Sequence, residues 1–256
     1  MATYKKRGYK PNTKEEQQNA VEDHSTTAEV FNSLDEGASK TEEWVAKNQK
    51  FIFIIIGVAA LVILGYLGYE EFIQEPKEAE AANEMFQAQQ YFENAMQAPA
   101  TQSDSLFSLA LTGGQGKYGF EDIIENYGST KAGNLAHYYA GMAYLNTNDY
   151  QKAIDNLDDF ESDDEILPAL AKGGIGDAFL QLEQPEEALG YYEEAANIRD
   201  NNFTTPKFLL KAALTALQLN DADAAEDYLN RIKEEYPESP EANRVAVYLG
   251  QAQAMQ

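Results

Sequence analysis

The chain has 256 residues, of which 19 are Lys or Arg and 43 are Asp or Glu, so its formal net charge is −24. An anionic surface of this kind repels nucleic acid and anionic lipid, which argues against both as ligands. The chain contains no cysteine, which excludes a disulfide framework.

Residues 1–50 form the first predicted segment, a tail with eight basic and nine acidic residues. We expect it to be largely disordered, because its first 18 residues carry almost no apolar side chains beyond the tyrosines. Two short helices are predicted within the tail, over 26–34 and 41–50. Thr41 is the expected N-cap of the second helix, since a threonine hydroxyl accepts hydrogen bonds from free amides at a helix start.

Residues 51–69 form an uncharged run from Phe51 to Tyr69. A helix of this length spans roughly 28 Å, close to the ~30 Å hydrocarbon core of a bilayer. The run follows a polar leader that is too long for a cleavable signal peptide. We therefore predict one permanent transmembrane helix that acts as a signal anchor. The alternative is a buried core helix.

Charges on the two sides of this run predict its orientation. Eight Lys or Arg residues precede it, whereas Glu70, Glu71 and Glu75 follow it and Lys77 is the first basic residue beyond. Lys and Arg near a span favour the cytoplasmic side of the membrane. We expect residues 1–50 in the cytoplasm of a bacterium, the helix in its inner membrane, and the remainder in the periplasm.

Small side chains share one face of the predicted membrane helix. At about 100° per residue, Gly57, Ala60, Gly65 and Gly68 fall within an arc of about 140°. Small residues allow another helix to approach closely in lipid, so this face is a candidate packing surface for a homodimer or for a partner's helix. Glycine is also simply frequent in membrane spans, which is the alternative reading.

Residues 70–133 are predicted to be a degenerate helical repeat region, with helices over 79–97, 104–111 and 120–127. A Gly-rich loop between the last two resembles the end of a phosphate-binding loop. It lacks that motif's first glycine, and Tyr118 replaces its Ser or Thr. The two histidines of the chain lie on opposite sides of the predicted span. We therefore predict no enzyme, no cofactor and no metal site.

Residues 134–239 contain three copies of one pattern, in which a stretch of small and aromatic residues precedes a second stretch around a central alanine. The central alanines Ala153, Ala188 and Ala225 are 35 and 37 residues apart. The pattern resembles the tetratricopeptide repeat, a helix–turn–helix unit of about 34 residues. The resemblance implies an all-α solenoid of three units, in which residues 240–256 form a capping helix.

The repeat resemblance also implies a concave groove, lined by the first helix of each unit. Matched to the pattern, the residues that face this groove are Leu135, Tyr138, Met142, Leu145, Leu170, Gly173, Asp177, Leu180, Lys207, Leu210, Leu214 and Leu217. Some repeat adaptors grip acidic tails with Lys, Arg and Asn at two of these positions in each unit, and this chain lacks that clamp. We expect an apolar protein-binding groove on an acidic body, unless a neighbouring helix covers it.

The order of tail, anchor and acidic repeat domain resembles the YfgM-like family of bacterial inner-membrane repeat proteins. These are ancillary to the SecYEG translocon and take part in periplasmic chaperone networks. The resemblance implies that the protein binds apolar segments of translocon subunits, chaperones or exported clients. The alternative is a passive scaffold that assembles another envelope complex, such as secretion or division machinery.

Overall fold

The structure, a computed structural model, describes residues 26–256. It consists of helices joined by loops, and the β-type pairing found in the described residues is an isolated bridge between Gly114 and Lys117. The chain divides into two compact parts, Met1–Tyr69 and Glu70–Gln256. The predicted all-α fold, with an apolar helix followed by helical repeats, is confirmed.

The first described helix, α1 (Thr26–Tyr69), is 44 residues long. The two separate short helices predicted before the apolar run, and the N-cap at Thr41, are therefore wrong. Composition explains the continuity, because the segment contains no proline and Gly37 costs a helix only about 1 kcal/mol relative to alanine. Residues 1–25, which include most of the tail expected to be disordered, lie outside the described residues.

The apolar part of α1 is not packed against protein within residues 26–256. Large apolar side chains from Phe51 to Leu67 are exposed on all sides of the helix, up to 71% for Leu61, and only Ile52 is half-buried. Within the described residues, one helix is long and apolar enough to cross a membrane. A helix that is apolar all round and unburied suits a lipid environment, not a protein core. The alternative of a buried core helix therefore does not describe α1.

A π-helical turn, Glu70–Gln74, precedes α2 (Glu75–Gln97). Pro76 is the second residue of α2. Because proline has no amide hydrogen, it cannot form the usual bond to the carbonyl of Phe72, and the wider turn accommodates that loss.

Two shorter helices, α3 (Ala100–Thr112) and α4 (Phe120–Tyr127), follow. An aromatic cluster joins them to their neighbours. The ring of Phe92 on α2 lies 5.4 Å from that of Phe107 on α3. It lies 5.2 Å from that of Tyr139, which belongs to the helix after α4. Tyr139 also stacks on Phe120 of α4 at 5.3 Å. Edge-to-face and stacked rings of this kind add to the energy of burial itself.

Three helix pairs and a final helix complete the chain. They are α5 (Lys131–Asn146) with α6 (Tyr150–Asp158), α7 (Leu167–Gln181) with α8 (Pro185–Asn197), α9 (Thr204–Gln218) with α10 (Ala222–Glu235), and α11 (Ala242–Met255). Each helix packs against the next, and the first helices of neighbouring pairs also touch, as α5 touches α7 and α7 touches α9. This is the packing of a solenoid.

The turn inside each pair has the same geometry in all three units. Its middle residue is left-handed, with φ of 65° at Asn148, 59° at Glu183 and 62° at Asn220. The next amide then reaches back to the helix end, as Asp149 N does to Tyr144 O at 3.0 Å. This is a Schellman closure, which satisfies carbonyls that a helix end leaves free.

Small residues let the two helices of a pair cross closely, as the repeat pattern predicts. A Cβ atom on Gly141 would lie 2.5 Å from Leu157, and one on Gly176 would lie 2.7 Å from the ring of Tyr192. Both distances are below ordinary van der Waals contact, so these positions admit only glycine without rearrangement.

Candidate protein-binding surface

The predicted groove residues are less accessible than an open groove requires. Two of them, Leu210 and Leu217, are buried, with 5% and 7% of their surfaces exposed. Nine are half-buried, namely Leu135, Tyr138, Met142, Leu145, Leu170, Asp177, Leu180, Lys207 and Leu214. Of the three leucines expected to form an open stripe on the third unit, two are therefore buried and Leu214 is half-buried.

The last helix explains the buried leucines. Leu217 shares a hydrophobic cluster with Ala252 and Tyr248 of α11, and Leu210 shares another with Val245 of the same helix. A helical array needs a terminal cap because its last unit has no following unit to cover its apolar surface. The capping helix therefore covers Leu210 and Leu217 of the third unit, whereas Lys207 and Leu214 stay half-buried.

Gly173 of α7 is also buried instead of lining an open groove. A Cβ atom at this position would lie 1.9 Å from the ring of Phe208 on α9. That ring in turn stacks on Tyr192 with centroids 6.5 Å apart. The glycine therefore serves packing between the second and third units.

Asp177, a carboxylate at a predicted groove position, is satisfied within the chain. Its Oδ1 atom accepts a hydrogen bond from the hydroxyl of Tyr192 at 2.6 Å and another from Nζ of Lys211. The ammonium of Lys211 also lies over the ring of Tyr192, 5.4 Å from its centroid. Burial and then the charge of Asp177 raise the pKa of Tyr192. Because Lys211 pairs with it, Asp177 is a poor binding site for a cationic partner.

A half-buried apolar helix face lies in the first unit. Four residues on α5 share one half-buried face, which we call the groove wall: Leu135, Tyr138, Met142 and Leu145. Tyr138 is held by the ring of Phe160, with centroids 5.4 Å apart. Burial, followed by the neighbouring Tyr139, raises the pKa of Tyr138 to about 12. The hydroxyl is therefore neutral at physiological pH, and the wall is uncharged.

A cleft of about 580 Å³ lies at one end of the groove wall. It is lined by Lys131, Asn134, Leu135, Phe160, Glu161, Ser162, Asp163 and Leu167. Asn134 fixes one side of it, because its Nδ2 atom donates to the carbonyl of Glu161 at 2.7 Å and its Oδ1 atom accepts from the amide of Glu161 at 3.1 Å. The volume suits the side chains of a bound segment.

Two residues that fix the loops beside this cleft were not predicted. Asp164 caps α7, since its Oδ1 atom accepts from the amides of Ile166 at 2.7 Å and Leu167 at 2.8 Å. These two bonds hold the pKa of Asp164 below its usual range. Asn201 caps α9 in the same way. Both could have been found in the sequence, because an Asp or Asn shortly before a helix often accepts hydrogen bonds from the first amides of that helix.

Glu78 of α2 caps α5 from a distance. Its carboxylate oxygens accept hydrogen bonds from the amides of Lys131 at 2.7 Å and Ala132 at 2.9 Å. A negative charge at a helix N-terminus also complements the helix dipole. This contact ties the region before the repeats to the first unit, and no local sequence signal indicates it.

The predicted packing face of the membrane helix is vacant in the described residues. Cβ atoms on Gly57, Gly65 and Gly68 would meet nothing within 4 Å, and Ala60 is exposed. The homodimer or partner helix at this face therefore stays a prediction.

A comparison with protein families assigns the repeats. A family model described as tetratricopeptide repeat matches residues 138–203 and again residues 174–240. A search of curated proteins finds no match to the chain. The two matched stretches overlap and together run from α5 to the loop after α10. Residues 138–240 therefore form tetratricopeptide repeats, a structure that generally supports protein–protein interaction and not catalysis.

Proposed function

We propose that the protein is a membrane-anchored interaction protein of the bacterial inner membrane, with its repeat domain in the periplasm. There it binds apolar segments of partner or client proteins as an ancillary component of a translocon and chaperone network. The observation that carries the proposal is the groove wall on α5, an uncharged face beside a cleft, on a domain joined to an apolar anchor helix.

The excess of Lys and Arg before the anchor supports the proposed orientation. The chain has no cysteine, so single cysteines report topology without background. In spheroplasts, a membrane-impermeant maleimide should label a cysteine at the exposed residue Asn202 and leave one at Asn12 unlabelled. The reverse pattern would place the repeats in the cytoplasm and end the proposal.

The apolar groove wall supports the proposed choice of client. Apolar side chains that leave water on binding contribute roughly 25 cal/mol per Å² of buried surface, with no requirement for a particular client sequence. Such a surface suits many unfolded or extended segments, each held weakly. A scaffold for one envelope complex would instead hold a single folded partner tightly.

Affinity purification of the full-length protein from solubilised membranes, read by mass spectrometry, tests this. We expect many exported chains together with translocon or chaperone subunits, and a large loss of them with Leu135→Glu. The matched control is Phe86→Ser, which alters an exposed apolar residue on α2. One stoichiometric partner that resists Leu135→Glu would favour the scaffold. A purification of the full-length protein that recovers no partner protein would contradict both the client-binding function and the scaffold function.

A further inference from the structure

Exposed apolar side chains of the repeats concentrate on the loops that connect one unit to the next. Five large apolar residues are exposed after residue 134, and three of them lie on two of these loops: Ile166 at 38%, Ile198 at 44% and Phe203 at 58%. We define the loop edge as residues 159–166, 198–203 and 236–241, the three segments that follow α6, α8 and α10. It adjoins the groove wall at one point, since Leu135 of that wall also lines the first of the two clefts described next.

Two clefts open on the loop edge. The first is the 580 Å³ cleft, whose lining includes Phe160, Ser162 and Asp163. The second measures about 310 Å³ and is lined by Asn202, Glu235, Tyr236, Pro237, Glu238, Ser239 and Pro240. A buried aromatic ring lines each cleft, Phe160 in the first and Tyr236 in the second, together with exposed carboxylates. The exposed apolar residues Ile166 and Phe203 lie on the loops that contribute to these clefts.

The loops are fixed by bonds between neighbouring loops. Arg199 lies 3.7 Å from Asp163 of the preceding loop. The hydroxyl of Tyr236 donates to Asp200 of the loop before it. The caps formed by Asp164 and Asn201 add rigidity within each loop. A surface ordered before binding loses less conformational entropy when a partner docks.

The charge of the loop edge restricts the partner. The three segments contain eight Asp or Glu residues and one basic residue, Arg199. Glu161 and Asp163 line the first cleft together with one basic residue, Lys131 of α5, whereas the second cleft has Glu235 and Glu238 and no basic residue in its lining. An anionic or neutral segment would gain nothing from these carboxylates, whereas Lys or Arg would be complementary to them.

We propose that the loop edge binds an extended, positively charged segment of a partner protein. Lys or Arg side chains lie along the acidic loops, and bulky apolar side chains enter the two clefts beside Ile166 and Phe203. The inference rests on one part of the proposed function, namely that the repeat domain binds segments of other proteins. It adds a second surface and specifies the chemistry of the segment.

Binding of a defined peptide to the full-length protein in phosphatidylcholine nanodiscs tests the proposal. The probe is a fluorescent nine-residue peptide that alternates Lys with Leu or Phe, and the control peptide has Glu in place of Lys. Empty nanodiscs correct for lipid binding. We expect the Lys peptide to bind at least tenfold more tightly than the Glu peptide, and the difference to shrink at high salt.

Variants locate the site without disturbing the fold. Ile166→Ser with Phe203→Ser, and separately Glu161→Gln with Glu165→Gln and Glu238→Gln, should each weaken binding of the Lys peptide more than tenfold. Their matched controls change exposed residues elsewhere: Phe86→Ser with Val247→Ser, and Glu93→Gln with Glu125→Gln and Glu234→Gln. The controls should bind like the unmodified protein.

Three results would overturn the proposal. One is equal affinity for the Lys and Glu peptides, and another is equal weakening by the control variants. The third is binding that survives both loop-edge variants but is lost with Met142→Glu, which changes a groove-wall residue outside the lining of the first cleft. That last result would leave the proposed function standing, because it would assign binding to the groove wall alone.

Discussion

The first and third repeat units share one backbone plan but present different surfaces. Both have a first helix, a Schellman turn and a second helix, yet the groove wall of α5 stays half-buried while Leu210 and Leu217 of α9 are buried. The difference comes from position in the array, because α11 covers the third unit. The repeat pattern specifies which residues point inward, and the neighbours decide whether those residues are available to a partner.

The largest expected effect tests this comparison directly. Leu217→Glu would bury a carboxylate without a partner beneath α11 and should destabilise the repeats by about 3–5 kcal/mol. Leu135→Glu, at a half-buried position beside a cleft, should cost much less, since its carboxylate can reach water. Thermal unfolding of the full chain, followed by circular dichroism, measures both. Equal losses would mean that the two surfaces are equally closed.

A smaller effect tests the packing between the second and third units. Gly173→Ala places a methyl group against the ring of Phe208 and should destabilise the fold by about 1–3 kcal/mol. Gly190→Ala on α8 is the control, since its Cβ atom would meet nothing within 4 Å. That change should stabilise the helix by about 0.5–1 kcal/mol. Effects of opposite sign in denaturant titrations confirm that Phe208 fills the predicted groove position.

The start of the first unit offers a matching test at the other end of the array. Glu78→Ala removes the acceptor of two amides at the start of α5, leaves the N-cap Thr130 in place, and should cost about 1–2 kcal/mol. Hydrogen exchange should accelerate at the amides of Lys131 and Ala132, which lose their acceptor. Glu93→Ala, at an exposed position on the same helix, should leave these amides unchanged. Unaltered exchange with Glu78→Ala would show that the cap is not formed in solution.

Alkaline pH should act on tyrosines of all three units. Burial is the first cause that raises the pKa of Tyr138 to about 12, and burial followed by carboxylate neighbours raises the pKa values of Tyr192 and Tyr228. The folded state therefore holds these protons more tightly than the unfolded chain. Their stabilising contribution is complete below about pH 10 and is lost as the pH rises through the folded pKa values.

Unfolding midpoints measured from neutral pH to about pH 12 check this dependence, together with tyrosine absorbance, which reports ionisation. Stability should change little from these groups up to about pH 10 and then fall. Tyr192→Phe should reduce the alkaline loss, because it removes one of the shifted groups. A fall that begins well below pH 10 would have to come from other residues.

The smallest effect concerns the turns that the three units share. Glu183 occupies a left-handed position at which the first and third units have Asn148 and Asn220. Asparagine and glycine tolerate this conformation better than glutamate. Glu183→Gly should therefore stabilise the repeats by about 0.5–1 kcal/mol in denaturant titrations. Destabilisation instead would indicate a role for the glutamate side chain.

Much of the fold could be predicted from the sequence, since helix periodicity and repeated small residues are local signals. The helix over 120–127 was predicted with the bounds that the structure shows, and the glycines at Gly141 and Gly176 indicated close helix crossings. The continuity of α1 through residues 35–40 was missed, because this stretch between the two predicted helices has no strong helix signal, although it also has no proline to interrupt a helix.

The state of the groove could not be predicted, because it depends on residues one repeat or more away. Lys211 reaches Asp177 from 34 residues further along the chain, and Glu78 caps α5 from 53 residues before it. Nothing in the sequence near Gly173 indicates that Phe208 occupies the space beside it. The repeat pattern specifies the directions in which side chains point. Whether the chain's own residues fill the groove depends on how successive units pack.

Site-specific photo-crosslinking in living cells asks whether the groove wall of the first unit captures protein segments while Leu217 of the third unit is covered by α11. A small aliphatic photoactivatable residue replaces Met142 on the groove wall or Leu217 on α9, in the otherwise unmodified full-length chain. We expect crosslinks to exported chains or translocon and chaperone subunits at Met142, and few or none at Leu217, which is buried. Equal crosslinking at both positions, or crosslinking at Leu217 alone, would contradict this expectation.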